Sequence, residues 1–312
     1  MSAAEEVLAQ QLRRLQLHYV LRHYADAVAQ AARESWTHAR FLEHLIAGEA
    51  ARRDEALVRR RVKAARLPGI KTLDSFDWSW PKKINRAQIQ QLFRLDFLPQ
   101  HGNVVLLGAV GVGKTHLAIA LAHTACLQGH TALFASAVDI VNTLAAAQAT
   151  GGIKRELARL LKPTLLVVDE LGYLPIDKFG ADALFQVIGQ RYERGSTVIT
   201  TNRAFKQWPE VFNNDSTLAS ALLDRLLHHA ETVVIEGPSY RMRERIESCA
   251  PFTTSPFPGR RRSPQATGGS PRFGHANPTP MLPNGPIFGR QIRAAFTPAP
   301  TRGQIGPGGF GA

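Results

Sequence analysis

The 312-residue sequence predicts an α/β fold with a five-stranded parallel sheet, preceded by a small all-α domain and followed by a disordered tail. A glycine-rich loop at residues 108–115 joins a short apolar strand to a helix, which is the context of a phosphate-binding loop. A second apolar strand ends in two adjacent carboxylates. Residues 251–312 contain 12 Pro and 11 Gly and no Lys, Asp or Glu, a composition that cannot bury a core. The predicted divisions are a helical domain at 1–70, a linker at 71–84, a nucleotide-binding domain at 85–250 and a tail at 251–312.

The helical domain is predicted from apolar residues at helical spacing, with no Pro before Pro68 and with Gly48 as the one Gly in the first 68 residues. Its last helix, about residues 49–67, is rich in cations. Arg59, Arg60 and Lys63 are therefore candidate contacts to a DNA backbone. A solvated helix face is the alternative interpretation.

The linker contains an extended aromatic stretch, residues 72–80, and Asn85 is predicted to cap the helix that follows it. Phe76, Trp78 and Trp80 either stack near a nucleotide base or, as the favoured interpretation, seal the junction between domains.

The phosphate-binding loop follows the apolar strand at residues 104–107 and opens a helix that runs to residue 127. Its glycines allow successive N–H groups to point at phosphates, Lys114 would place an ammonium against them, and the Thr115 hydroxyl would ligate Mg²⁺. The predicted phosphate-binding residues are Gly108, Ala109, Val110, Gly111, Val112, Gly113, Lys114, Thr115 and His116.

The remaining strands are predicted at 131–135, 164–168, 195–201 and 232–236, alternating with helices. Asp169 is predicted to hold Mg²⁺ together with Thr115, and Glu170 to polarise the attacking water. Asn202 follows the fourth strand, where it either orients that water or serves as a turn residue.

The net charge of +13 indicates an acidic partner, with nucleic acid first, although seven of these charges come from arginines in the tail. The two cysteines, Cys126 and Cys249, are interpreted as incidental thiols in a reducing compartment. The first twenty residues lack the apolar core of a signal peptide, so a cytoplasmic protein without a membrane partner is expected.

Several stretches together resemble the IstB-type ATP-binding helper proteins of insertion sequences, which are AAA+ ATPases related to the DnaC helicase loaders. The resemblance extends from about residue 5 to residue 247 and rests on residues 108–116, 168–175, 191–197, 224–229 and 239–241.

This resemblance implies a three-layer AAA+ fold, ATP and Mg²⁺ as cofactors, and catalytic roles for Glu170, Asn202, Arg225 and Arg241. Asn202 corresponds to the first sensor and Arg241, in Ser-Tyr-Arg, to the second. Arg225, in Asp-Arg-Leu, corresponds to an arginine finger that acts on a neighbouring subunit of a homo-oligomer. The implied partners are double-stranded DNA and a transposase encoded by the same element.

Lys154, Arg155 and Arg159 lie before the second nucleotide motif, where related initiator-type ATPases contact DNA, and are further candidate DNA contacts. Two alternatives stay open: a DnaC-like loader of a replicative helicase, and a non-hydrolysing DNA-binding scaffold in which ATP is structural.

The adjacent pair His228 and His229 raises the question of a metal site. Neighbouring helical residues point about 100° apart, and no Cys or carboxylate lies at ligand spacing in the sequence. A packing or polar role is therefore expected for both histidines.

Overall fold

The computed structural model describes residues 3–243, so the predictions for Cys249 and for the tail at 251–312 lie outside the described residues. The described helices are α1 (Ala3–Arg14), α2 (His18–Arg33), α3 (His38–Ala64), α4 (Arg86–Leu92), α5 (Lys114–Leu127), α6 (Ala137–Ala149), α7 (Ile153–Leu161), α8 (Lys178–Arg191), α9 (Trp208–Val211) and α10 (Ser216–Leu227). The described strands are β1 (Asn103–Gly108), β2 (Ala132–Ser136), β3 (Leu165–Leu171), β4 (Ser196–Thr201) and β5 (Ala230–Ile235).

The five strands form one parallel sheet in the order β2-β3-β4-β1-β5. An apolar cluster on one face includes Leu144 of α6, Leu184 of α8 and Leu222 of α10. The cluster on the other face includes Ile89 of α4 and Leu117 of α5. The predicted three-layer α/β fold with a five-stranded parallel sheet is confirmed, and its central strands are buried because helices cover both faces.

The strand order positions the site. Strand β4 lies between β3 and β1, so the carboxyl ends of the three strands meet at one edge of the sheet. Side-chain caps set the starts of two flanking helices, and the cap at Asn85 was predicted. Asn85 Oδ1 accepts a hydrogen bond from the Gln88 N–H at 3.1 Å, and Ser136 Oγ accepts one from the Asp139 N–H at 3.0 Å.

Helices α1–α3 pack with the sheet into one compact unit. Ala65, directly after α3, is fully buried, and its carbonyl accepts a hydrogen bond from the Phe134 N–H of β2 at 2.8 Å. The domain boundaries at residues 70 and 85 therefore stay predictions. Within residues 3–243, no helix combines the length and apolarity required to cross a membrane.

A buried carboxylate joins α2 to α3. Glu49 Oε2 accepts a hydrogen bond from the Tyr19 N–H in the first turn of α2 at 2.7 Å. Glu49 Oε1 lies 2.6 Å from Arg52 Nη2 and 3.2 Å from Arg53 Nε. Burial alone would raise the pKa of Glu49, but these donors lower it to about 2. The ionised carboxylate thus stabilises the start of α2.

Replacing Glu49 by Gln is expected to reduce the free energy of unfolding by about 1–3 kcal/mol at pH 7, because a charged acceptor is lost from a buried site. Since folding lowers the pKa from 4.5 to about 2, the wild-type advantage is complete above pH 4.5. It declines as the pH falls toward 2. Urea unfolding of both proteins across this range measures the difference, and a difference independent of pH would contradict the prediction.

Candidate nucleotide-binding site

A cleft of about 650 Å³ opens at the edge where β1, β3 and β4 end. It brings the glycine loop together with three residues predicted from separate parts of the sequence, Glu170, Asn202 and Arg241. Its other polar lining includes Lys71, Ser75, Asp77, Lys114, Thr115, His116, Tyr173, Thr200, Thr201 and Tyr240. Its size and its mixture of charged and aromatic groups suit a nucleotide.

Two glycines give the loop a backbone that other residues rarely adopt. Gly111 has a φ of +79° and Gly113 a φ of +101°. A Cβ at Gly113 would lie 2.6 Å from the Phe76 ring, and one at Gly111 would lie 2.1 Å from Ser239 Oγ. The loop is therefore held between the linker and the segment that follows β5, and both positions require Gly.

Lys114 opens α5, and its Nζ donates hydrogen bonds to the carbonyls of Gly108 at 2.8 Å and Ala109 at 2.7 Å. Burial lowers the pKa of Lys114, and the nearby Arg241 adds to this effect, whereas the carboxylates of Asp169 and Glu170 oppose it. The ammonium thus lies between the loop carbonyls and the two acidic residues, where phosphate oxygens would be its preferred partners.

Asp169 is buried at the end of β3. Its Oδ1 accepts hydrogen bonds from Thr115 Oγ1 at 2.9 Å and from Thr200 Oγ1 at 2.6 Å. The hydroxyl and the carboxylate oxygens adjoin each other and are the hard ligands that Mg²⁺ prefers, so this pair fits the predicted cation.

Sequence reasoning missed Thr200. In a strand, Thr resembles Val in shape and propensity, and only the register of β3 against β4 places it beside Asp169. A hydroxyl near the carboxyl end of the strand was a weak signal, because β4 contains four hydroxyl residues.

Glu170 adopts a φ of +58°, where the pairing of β3 with β4 shifts register between Val168 and Leu171. Its N–H donates a hydrogen bond to Thr200 Oγ1 at 2.9 Å, while its side chain is exposed in the cleft. A left-handed backbone is uncommon and energetically costly for a residue with a Cβ. The bulge directs the carboxylate away from the sheet and into the cleft.

The segment after β5 closes the cleft on another side. The Tyr240 N–H donates a hydrogen bond to the Gly111 carbonyl at 2.9 Å, which brings Arg241 to the loop.

Arg225 is placed differently, because it is absent from the lining of the cleft. Its guanidinium lies 4.6 Å from the centroid of the Phe185 ring. A Cβ at Gly189 would lie 2.5 Å from Arg225 Nη1, so α10 and α8 approach closely there.

The linker contacts the first turn of α5. His116 Nε2 lies 3.0 Å from the Thr72 carbonyl oxygen, and the His116 ring packs against Phe76. Phe76 is buried in the apolar core. Phe76 and Trp80 both line the cleft, and the Trp80 indole N–H donates to the Pro238 carbonyl at 2.9 Å. Phe76 thus connects the apolar core to the cleft.

The candidate DNA contacts occupy two helices. On α7, Lys154 and Arg155 are exposed, whereas Arg159 Nε lies 2.7 Å from Glu156 Oε2. Arg155 also approaches Glu156, at 3.6 Å. The Glu156 carboxylate therefore neutralises part of the positive charge of this group.

On α3, Arg59, Arg60 and Lys63 are exposed. Arg59 Nη1 pairs with Glu55 Oε2 at 3.1 Å. The two groups of candidate DNA contacts lie on different helices, and their role in DNA binding stays a prediction.

Comparison with known proteins adds independent information. The sequence model of the family described as "IstB-like ATP binding protein" matches residues 10–248. A protein of insertion sequence IS21 from Pseudomonas aeruginosa, named for ATP binding, is 39% identical over 234 residues, covering 75% of this chain and 88% of that protein. A similarly named protein of IS5376 from Geobacillus stearothermophilus is 36% identical over 232 residues, covering 74% and 92%.

Among solved structures, the DnaC helicase loader is 24% identical, with a TM-score of 0.44 over 53% of this chain and 96% of that one. The family model covers well over half of the chain, and the relatives share more than a third of their aligned residues with it. The predicted resemblance is thus confirmed, and the chain belongs to the family of IstB-like ATP binding proteins of insertion sequences.

Proposed function

We propose that this protein is an AAA+ ATPase that assembles on double-stranded DNA when it binds Mg·ATP and that, once assembled, recruits and activates the transposase encoded by the same element. Hydrolysis returns it to the unassembled state. One observation carries the proposal. The cleft brings together the groups that would bind and hydrolyse a nucleoside triphosphate, while Arg225 lies outside the cleft of its own subunit.

The chain's residues divide the chemistry among them. The loop N–H groups and Lys114 would bind the phosphates, and the Glu170 carboxylate would accept a proton from the attacking water. Asn202, at the end of β4, would orient that water. Thr115 and Asp169 would hold Mg²⁺, which when bound supplies charge neutralisation at the phosphate oxygens. Thr200 fixes both the Asp169 carboxylate and the Glu170 backbone.

Arg225 would make ATP hydrolysis depend on assembly. A cation that reaches a neighbour's γ-phosphate makes transition-state stabilisation depend on the presence of that neighbour. ATP then favours the assembled state by its higher affinity for that state, which is a population shift. The insertion-sequence origin of the relatives supports a transposase as the protein that reads out the assembled state.

The experiment that tests this function is steady-state ATP hydrolysis with and without duplex DNA over a range of protein concentrations. We expect DNA to stimulate turnover and turnover per subunit to rise with concentration. Any turnover above background would exclude the scaffold in which ATP is only structural. Turnover that is unaffected by both DNA and concentration would refute DNA-dependent assembly.

The double variant Lys154→Ala/Arg155→Ala is expected to flatten the salt dependence of DNA binding. Each lost phosphate contact removes about 0.9 from the slope of log K against log[salt], so the slope should fall by about 1.8. Adding Arg159→Ala should change it little further, because Arg159 already pairs with Glu156. Fluorescence anisotropy with labelled duplex DNA at several salt concentrations measures the slope.

The matched control for this experiment is Lys178→Ala/Lys206→Ala, which removes two exposed cations from other elements. A control slope that falls as much as the α7 slope would show that net charge, and not α7, determines the binding. An unchanged slope in the α7 variant would remove this helix from the interface.

A further inference from the structure

Three side chains meet on the surface at the edge of the sheet opposite the nucleotide cleft. Glu193 follows α8 shortly before β4 begins, and His228 and His229 connect α10 to β5. Ligand atoms of the three residues lie within 4.8 Å of one another. The expectation that no carboxylate partners these histidines is therefore wrong. Glu193 is 35 residues away from His228 in sequence, and the fold brings it close.

The sequence-based argument that the two imidazoles point too far apart to share a metal fails for a physical reason. A separation of about 100° holds for neighbours within a helix, but α10 ends at Leu227, and the chain enters β5 at Ala230. The two imidazole centroids lie 4.1 Å apart. Both rings can therefore face one point. Glu193 lies in the turn between α8 and β4, where its φ is +58°, and its carboxylate reaches the same point.

The backbone around the cluster is fixed by a buried side chain. Asn103 Nδ2 donates to the Leu226 carbonyl at 3.0 Å, at the end of α10. Asn103 Oδ1 accepts from the Thr197 N–H at 2.9 Å, in β4, and the Asn103 N–H donates to the His229 carbonyl at 2.7 Å. One residue of β1 thus holds both chain segments that carry the cluster. The three side chains project from a scaffold that is already ordered.

A fourth residue orients one imidazole. The Tyr192 hydroxyl lies 3.0 Å from His228 Nδ1. The Tyr192 side chain is also a hydrogen-bond partner of the Glu193 side chain. When its proton is donated to Glu193, the Tyr192 oxygen accepts from Nδ1–H of His228. That arrangement leaves the Nε2 lone pair of His228 for a metal, as hydrogen bonds to metal-binding histidines commonly do.

We propose that Glu193, His228 and His229 bind a divalent transition metal ion, with Zn²⁺ as the first candidate and the fourth coordination position open to water or an outside donor. Two histidines and one glutamate form an established ligand set for zinc. Imidazole favours zinc and the neighbouring transition metals over Mg²⁺, so this site would not compete for the Mg²⁺ proposed at Thr115 and Asp169. The ion would clamp the end of α10, the helix that carries Arg225, to the turn after α8.

Cobalt(II) absorption titrations of the untagged, nucleotide-free full chain test the proposal, because the visible bands of Co²⁺ report nitrogen and oxygen coordination. We expect His228→Ala to lose one bound ion per chain, Glu193→Gln to weaken binding because a charged ligand is lost, and Tyr192→Phe to weaken it by about 10–100-fold. Zn²⁺ should displace the Co²⁺. The matched control is His38→Ala, which removes an exposed histidine at the start of α3.

Thermal unfolding provides a second measurement on the same proteins. Zn²⁺ should raise the melting temperature of the wild type and of His38→Ala, and leave that of His228→Ala unchanged, because a ligand that binds only the folded state stabilises it. Circular dichroism checks that each variant is folded. Equal ion stoichiometry and affinity in the wild type and His228→Ala, or no binding to the wild type, would overturn the proposal.

Discussion

Glu170→Gln is expected to slow ATP hydrolysis by about 10²–10⁴-fold, the range that general base catalysis contributes, with Mg·ATP affinity nearly unchanged. Gln matches Glu in shape but cannot accept the proton of the attacking water. The substitution should preserve the local backbone, because the bond that anchors it joins the residue-170 N–H to Thr200 Oγ1 and does not involve the side chain. Single-turnover hydrolysis and equilibrium binding of a fluorescent ATP analogue measure the two quantities separately.

The control for this prediction is Glu210→Gln, an equal charge change at an exposed position on the short helix α9, outside the cleft. It should hydrolyse ATP at the wild-type rate. If Glu170→Gln also retained the wild-type rate, another group would be the base, and the role assigned to Glu170 would be rejected. If it lost ATP binding as well, Glu170 would be contributing to the ground state.

The glycine loop, the acidic pair and their strands could be predicted from the sequence, because each is a contiguous stretch with a recognisable local pattern. The strand predicted at 232–236 is observed at Ala230–Ile235. That strand lies at the edge of the sheet and is only partly buried, and Glu231 interrupts its apolar pattern. The register of an edge strand is therefore less evident from sequence than that of the buried β1.

The parts that could not be predicted depend on contacts between distant residues. Thr200 acquires a role only through the pairing of β4 with β3. Helix α8 contains Gly180 and Gly189, which weaken its helical signal, yet both glycines allow close packing. A Cβ at Gly180 would lie 2.4 Å from Ile176 Cγ2. The Glu193–His228–His229 cluster likewise forms only because β4 and β5, which flank β1, begin at the same edge of the sheet.

Arg225→Ala is expected to reduce ATP turnover by about 10³–10⁵-fold under conditions where assembly limits the chemistry, the range by which an arginine finger accelerates hydrolysis. In its own subunit, the Arg225 guanidinium packs over Phe185 and lies outside the cleft. Loss of this side chain should therefore leave ATP affinity of the single subunit close to wild type. Arg225→Lys keeps the charge but not the planar fork and should recover only part of the rate.

Mixing two inactive variants tests whether Arg225 acts on a neighbour. Subunits with Glu170→Gln carry a defective site and an intact Arg225, whereas subunits with Arg225→Ala carry an intact site and no finger. In a mixed assembly, the first kind would complete the second, so turnover of the mixture should exceed the sum of the two separate rates. If Arg225 acted within its own subunit, or only supported the packing of α10 on α8, no mixture could restore activity, and the rates would simply add.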